Sequence, residues 1–149
     1  MKIPVLYLAA GYSTRMGVPK LSIELPGGGK VGGMAFIQAV ESRLNPVIVI
    51  TKPGDTMDWL PSNVIENRPD NTIVQVICED AMLGLSASLR SGLEAAEHLE
   101  SDAVIVMLAD QPLVSKEMLI HLITHYHSHP DLDYVTSGDQ GVPKPPVLL

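Results

Sequence analysis

An apolar run from Ile3 to Leu8 breaks at once into Ala9-Ala10-Gly11, and this change constrains the fold more than any other feature of the chain. A short, unbroken run ending in turn residues predicts a buried β-strand. The segment after the strand is built differently. Ala9 and Ala10 are small, Gly11 frees the backbone, Ser13 and Thr14 carry hydroxyls, and Arg15 and Lys20 bring positive charge around Gly17 and Pro19. A strand running into a small-residue loop with fixed cations can hold a polyphosphate, because backbone N–H groups approach closely while the cations neutralise oxygens from outside. The alternative is an ordinary glycine-containing β–α turn with incidental charges. The loop has neither the Walker A spacing nor the dinucleotide fingerprint.

Downstream, apolar runs and helical periodicities alternate, the mark of an α/β domain. Leu21–Leu25 has a period of two and predicts a short edge strand, and Pro26–Lys30 predicts a turn. Met34, Ile37, Val40 and Leu44 mark a helix over 34–44. Pro46–Ile50 reads as a buried strand, Thr51–Asn63 as loop with a helical turn near Trp59, and Val64–Glu66 and Val74–Ile77 as further strands. Leu85, Leu89, Leu93 and Ala96 fall on one face of a helix reaching His98. Ala103–Leu108 is continuously apolar, as in a central strand covered on both faces. Ser115 can cap a helix through His127 with Leu119, Leu122, Ile123 and Tyr126 inward, and 133–136 and 146–149 are extended. The expected architecture is a three-layer sandwich, a mainly parallel sheet with helices on both faces. Ligands of such sheets sit at the carboxyl ends of the strands, so the loops after Leu8 and Leu108 should meet there.

The chain has 149 residues, enough for a single substantial core. Its net charge of −7 argues against nonspecific binding to nucleic acid or an anionic membrane. Scarce cations make Arg15 and Lys20 beside the loop more informative. No stretch approaches a transmembrane helix in length, and the short, Pro4-interrupted start does not read as a signal peptide. The single cysteine, Cys78, reads as a buried, inert thiol suited to the cytoplasm.

Several residues invite a chemical reading. Asp110 comes just after the most hydrophobic strand, where a carboxylate either serves a turn or cap or binds a hard cation. Ser86 and Ser88 stand at a helix start and either cap it or offer hydroxyls to an anion or base edge. Arg90 reads as a solvated helix residue. His121 and His125 have i, i+4 spacing, with His127 and His129 beyond, yet no Glu or Cys ligand accompanies them, and a polar helix end is the better reading. Gly27-Gly-Gly-Lys30 reads as a flexible turn before a phosphate cradle. Asp55, Asp58, Asp131 and Asp133 read as surface charges.

The string Leu8-Ala-Ala-Gly-Tyr-Ser-Thr-Arg-Met-Gly-Val-Pro-Lys20 resembles the signature Leu-Ala-Ala-Gly-x-Ser-x-Arg-Met-Gly-x-Pro-Lys of MobA-like nucleotidyltransferases, which attach a nucleotide to the molybdenum cofactor. Gly84–Leu93 is similar to the family's Gly-x-Ser-x-Ser-Leu-x-x-Gly-Leu element, and Leu108-Ala-Asp-Gln-Pro-Leu113 to its Asp-Gln-Pro metal-binding turn. The resemblance runs in order from residue 3 to Leu149. It implies a Rossmann-like, glycosyltransferase-A-like nucleotidyltransferase fold, with residues 1–149 as one such domain. It further implies nucleotide binding by Leu8, Ala9, Ala10, Gly11, Ser13, Arg15, Lys20 and Ser86. Arg15, Lys20 and Asp110 would be catalytic, with Asp110 the ligand of Mg²⁺. The Ala-Ala form of the loop, where GTP-using members have Leu-Ala-Gly-Gly, points to the branch that uses CTP on molybdopterin to mature xanthine-dehydrogenase-type hydroxylases. The partners implied are CTP or GTP, the molybdopterin cofactor and an apo-hydroxylase.

The resemblance is incomplete towards the end. Family domains continue past the Pro-x-Leu-Leu strand, and where they often show Gly-His-Pro this chain reads Lys144-Pro145-Pro146. The expectation is that the family's C-terminal segment, with a second metal ligand or part of the pterin site, is missing. The rival readings are a guanylyltransferase, a non-catalytic nucleotide- or cofactor-binding accessory module, and an NAD(P)-using reductase of the nicotine-blue type.

Overall fold

A computed structural model describes residues 2–12, 19–66 and 72–149. In chain order its elements are β1 Val5–Ala9, α1 Val31–Glu41, β2 Val47–Thr51, α2 Ser62–Glu66, β3 Ile73–Ile77, α3 Leu85–His98, β4 Ile105–Leu108, α4 Lys116–Ser128, β5 Val135–Asp139 and β6 Val142–Leu148. Two single 3-10 turns, Lys20–Ser22 and Ala81–Leu83, lie between them.

The strands form one sheet in the order β3-β2-β1-β4-β6-β5. The first four are parallel, whereas β6 runs antiparallel to both β4 and β5. β1 is central, its Val5 in register with Val47 on one side and Ile105 on the other. Every residue of β1 and β2 is buried, because helices cover both faces. Alternation along β1 sends Val5, Tyr7 and Ala9 to the face covered by Ala35, Phe36 and Ala39 of α1 and Leu119 and Leu122 of α4. Leu6 and Leu8 face the opposite way, towards α3 with Ala96, Cys78 and Ala81. Gly92 lets α3 come close, since a Cβ there would lie 3.1 Å from both Ile50 Cδ1 and Leu6 Cδ1. The result is the expected three-layer α/β sandwich.

The local expectations differ from the structure in several places. Leu21–Leu25 is no strand; a 3-10 turn gives way to one antiparallel bridge between Glu24 and Lys30. α1 starts three residues early and buries Gly32, Ala35, Phe36, Ala39 and Val40, leaving Met34 and Ile37 half-buried. Two glycines at its start mask the helical pattern, and both are there for close packing. A Cβ on Gly32 would lie 2.8 Å from Trp59 Cε3, and one on Gly33 2.7 Å from the Trp59 carbonyl. Val64–Glu66 belongs to the short helix α2, which begins just after Pro61, a residue suited to a helix start. The closing hairpin is longer than the pattern suggests, because β6 carries three prolines. Pairing jumps from Thr136–Val147 to Ser137–Lys144, so Pro145 and Pro146 fall in a bulge where no ladder N–H is required.

Candidate active site

In a parallel sheet every strand delivers its last residue to the same edge. Here Ala9 lies in register with Thr51, and Leu8 with Leu108. The loops after β1 and β4 are thereby neighbours, tied by Ala109 N–H donating to the Leu8 carbonyl at 3.0 Å. Between them and the start of α3 lies an open cleft of ≈ 750 Å³. Leu8, Ala9, Ala10, Gly11 and Tyr12 line one side, Ala81, Met82, Gly84, Leu85 and Ser88 the other, with Lys20, Leu21, Leu108 and Asp110 completing it.

Two charges face each other at this edge. Lys20 Nζ lies 3.6 Å from Asp110 Oδ2, and both side chains are 47% exposed. An exposed pair of this kind is worth about 0–1 kcal/mol, so either partner can turn to a ligand at little cost. Asp110 stands in a turn in which Gln111 N–H donates to the Leu108 carbonyl at 3.2 Å. It caps no helix; Ser115 caps α4, accepting from Met118 N–H at 3.3 Å. The backbone around the cleft is left open. A Cβ added at Gly11 or Gly84 would meet no atom of the described residues within 4 Å, so packing against them does not require either glycine, and a ligand can approach the main chain there. Gly84 also needs its freedom, with φ at +106° where α3 begins. The α3 rim is apolar, with Met82 81% and Leu85 58% exposed.

The structure gathers only part of the expected site. Leu8, Ala9, Ala10, Gly11, Lys20 and Asp110 share the cleft, whereas Ser13 and Arg15 lie outside the described residues. Ser86 is exposed and does not line the cleft; Ser88, two residues on, is 4% exposed and does. Neither serine caps α3, whose N-cap is Gly84. Leu85, expected on the inward face, is exposed, and the buried positions are Ser88, Gly92 and Ala96. At the other end of the molecule His125 and His129 stack at 4.3 Å, and among the described residues no three His, Cys, Asp or Glu side chains gather as a metal cluster. A Gly-x-Gly-x-x-Gly spacing does occur at Gly27, Gly29 and Gly32. It spans the turn of the 24–30 bridge and the start of α1, not the turn directly after a parallel strand in which the dinucleotide fingerprint stands.

Two residues outside the cleft lining have roles that escape the sequence pattern. The buried Tyr7 hydroxyl donates to the Gly32 carbonyl at 2.6 Å, joining β1 to the start of α1. Burial pushes its pKa far above the ordinary tyrosine range; the Phe36 N–H works against this and the charge of Asp110 adds to it. Asp58 accepts from Ser22 Oγ at 2.7 Å and pairs with Lys30 Nζ at 3.5 Å. The Ser22 hydrogen bond holds its carboxyl below the usual range against the opposing effect of desolvation, and Lys30 adds to the lowering. These partners are 25 to 36 residues apart in sequence, and no local periodicity could announce them.

The MobA-like NTP transferase domain model matches residues 5–149. The chain belongs to this family. It is 32% identical over 127 residues to the purine catabolism protein PucB of Bacillus subtilis, an alignment covering 83% of this chain and 62% of PucB. The chain therefore spans less than two thirds of that relative's length. Rv0371c from Mycobacterium tuberculosis superposes with a TM-score of 0.72 at 25% identity, over 99% of this chain and 71% of its own. Its manganese complex superposes with a TM-score of 0.70 at 22% identity, over 99% and 70%. The 4-diphosphocytidyl-2C-methyl-D-erythritol synthase of Anaerococcus prevotii shares the fold at 19% identity and a TM-score of 0.66, over 95% of this chain and 60% of its own.

Proposed function

We propose that this MobA-like domain transfers CMP from CTP to a molybdopterin-type cofactor and releases pyrophosphate, for the maturation of a molybdenum hydroxylase in the cytoplasm. The observation that carries the reading is the Lys20–Asp110 pair, half-exposed at the mouth of a cleft whose backbone is open at Gly11 and Gly84. In the reaction a terminal phosphate oxygen of the cofactor attacks the α-phosphorus of the triphosphate. The bond to the bridging oxygen breaks, and the electron pair leaves with pyrophosphate. Chemistry of this kind is mostly alignment and charge neutralisation.

Residue type and place assign the roles. Backbone N–H groups from Ala10 onward would bind phosphate oxygens, and Lys20, with Arg15 and Ser13, would neutralise and hold the triphosphate. Asp110 offers one hard, water-accessible carboxylate, a donor set that fits a cation taking its remaining ligands from phosphate and water, as Mg²⁺ does and Mn²⁺ can. When bound, the metal would supply charge neutralisation on the phosphates. Ser86 or the cleft-lining Ser88 would meet the nucleotide at the start of α3. The apolar rim of Met82 and Leu85 suits a base. The Ala10 methyl, packed into the cleft floor where GTP-using members carry glycine, favours a pyrimidine. The likeness to a protein of purine catabolism accords with a xanthine-oxidising partner.

Incubation with molybdopterin, Mg²⁺ or Mn²⁺, and each of CTP, GTP and ATP tests the reading through pyrophosphate release. CTP-dependent release is expected. Release with GTP alone would make it a guanylyltransferase, binding without release an accessory module, and NAD(P)H consumption a reductase.

A further inference from the structure

An exposed ion pair contributes too little to fix a long side chain, so where Lys20 reaches depends on the backbone that carries it. Its backbone sits in the 3-10 turn, closed by Ile23 N–H donating to the Lys20 carbonyl at 3.2 Å. The turn continues into a small hairpin, in which Val31 N–H donates to the Ile23 carbonyl at 3.0 Å and Leu25 N–H to the Gly29 carbonyl at 2.9 Å. The segment after β2 grips this hairpin at both ends. Asp58 Oδ1 accepts from Ser22 Oγ at 2.7 Å, and Lys30 Nζ reaches the Asp58 carbonyl at 3.2 Å and Oδ2 at 3.5 Å. Beside it the Trp59 ring and Leu21 crowd the same face of Gly32, each within 2.9 Å of where a Cβ would stand. Trp59 is itself oriented by Asp55, which accepts from the indole Nε1 at 3.4 Å.

We infer that Asp58 is a positioning residue for nucleotide binding: by holding Ser22 and Lys30 together, it fixes the turn that aims Lys20 across the cleft at the triphosphate. The inference rests on the nucleotide-binding reading above and adds a residue outside the cleft. Asp58 touches no ligand; it acts through the backbone of Lys20.

The test uses the whole chain with Asp58→Ala, Ser22→Ala, Lys20→Met and the double variant Asp58→Ala/Lys20→Met, and with Glu97→Gln on the far end of α3 as a control. Far-UV circular dichroism and thermal melting check folding. The brace is read first without any nucleotide, as amide hydrogen exchange at Ile23 and Val31. Exchange faster at both amides in Asp58→Ala and in Ser22→Ala, and unchanged in Glu97→Gln, is expected. Unchanged exchange in the first two overturns the brace. Its action through Lys20 is then read as affinity for CTP with Mg²⁺ against affinity for CMP. Asp58→Ala should weaken CTP binding about tenfold, a misplacement effect, and CMP binding by less than about twofold. In the Lys20→Met background Asp58→Ala should change CTP affinity no further. An undiminished loss there, or equal losses for CTP and CMP, would show that Asp58 does not work through Lys20. Wild-type protein that binds none of CTP, GTP and ATP would overturn the nucleotide reading instead, and the exchange data would still judge the brace.

Discussion

Replacing Asp110 by asparagine keeps the side-chain volume and removes the charge that a hard cation needs. Metal-dependent pyrophosphate release should fall by about 100-fold or more, the usual cost of one preorganised electrostatic contact. Stability should change by less than about 1 kcal/mol, since the carboxylate is half-exposed and its ion pair is a surface one. Pyrophosphate release measured beside urea unfolding separates the two effects, and retained turnover would remove Asp110 from the metal site. Tyr7 gives the opposite split. Its hydroxyl donates to the Gly32 carbonyl, so Tyr7→Phe removes a buried hydrogen bond between β1 and the start of α1 and should cost about 0.5–1.5 kcal/mol. The same hydroxyl imposes a pH dependence. Burial raises its pKa in the folded protein above the unfolded value, so the folded state keeps a proton that the unfolded chain gives up. Its contribution is full below about pH 10 and declines as pH rises beyond that. Denaturant midpoints measured above that pH should decline more steeply for the wild type than for Tyr7→Phe.

At the scale of elements, what the sequence discloses depends on how local its cause is. β4 is legible because 103–108 is apolar throughout, and only a strand covered on both faces needs that. The loop at Leu8–Gly11 and the turn at Asp110 are legible because each ends such a run, and parallel pairing brings both ends to one edge. The start of α1 is hidden for a reason three-dimensional in origin, since Gly32 and Gly33 answer to Trp59 and Pro61. β6 is hidden because its prolines fit only once a bulge has formed against β5. Asp58 looks like surface charge until Ser22 and Lys30 arrive beside it. Gly32→Ala tests this dependence directly. A methyl 2.8 Å from the Trp59 ring and 2.9 Å from Leu21 must displace one of them, and overpacking of this order costs about 1–3 kcal/mol. Because Leu21 adjoins Lys20, the variant should also weaken CTP binding, measured by titration calorimetry, more than Tyr7→Phe does.

For the whole molecule, the cleft lies at the seam between the β1 loop, the β4 loop and α3, and a ligand there bridges elements packed on both sheet faces. Its binding energy should therefore appear as global stability. The chain as a whole carries −7, so a nucleotide gains nothing from the overall field and depends on the cations placed at the cleft. A bound cation beside Asp110 would supply part of that charge. A ligand at a hundredfold excess over its Kd stabilises the native state by about 2.7 kcal/mol. For a domain near 150 residues, each kcal/mol raises Tm by roughly 2–4 °C. CTP with Mg²⁺ or Mn²⁺ at that excess should thus raise Tm by about 5–11 °C. At the same CTP concentration without metal, or in Asp110→Asn, the shift should shrink, because the triphosphate charge is then less well neutralised. A thermal scan with CTP, GTP and ATP at equal concentration orders the three by affinity. A larger shift with GTP would reverse the assignment of the base while keeping the cleft, and a shift that is the same with and without metal would detach Asp110 from nucleotide binding.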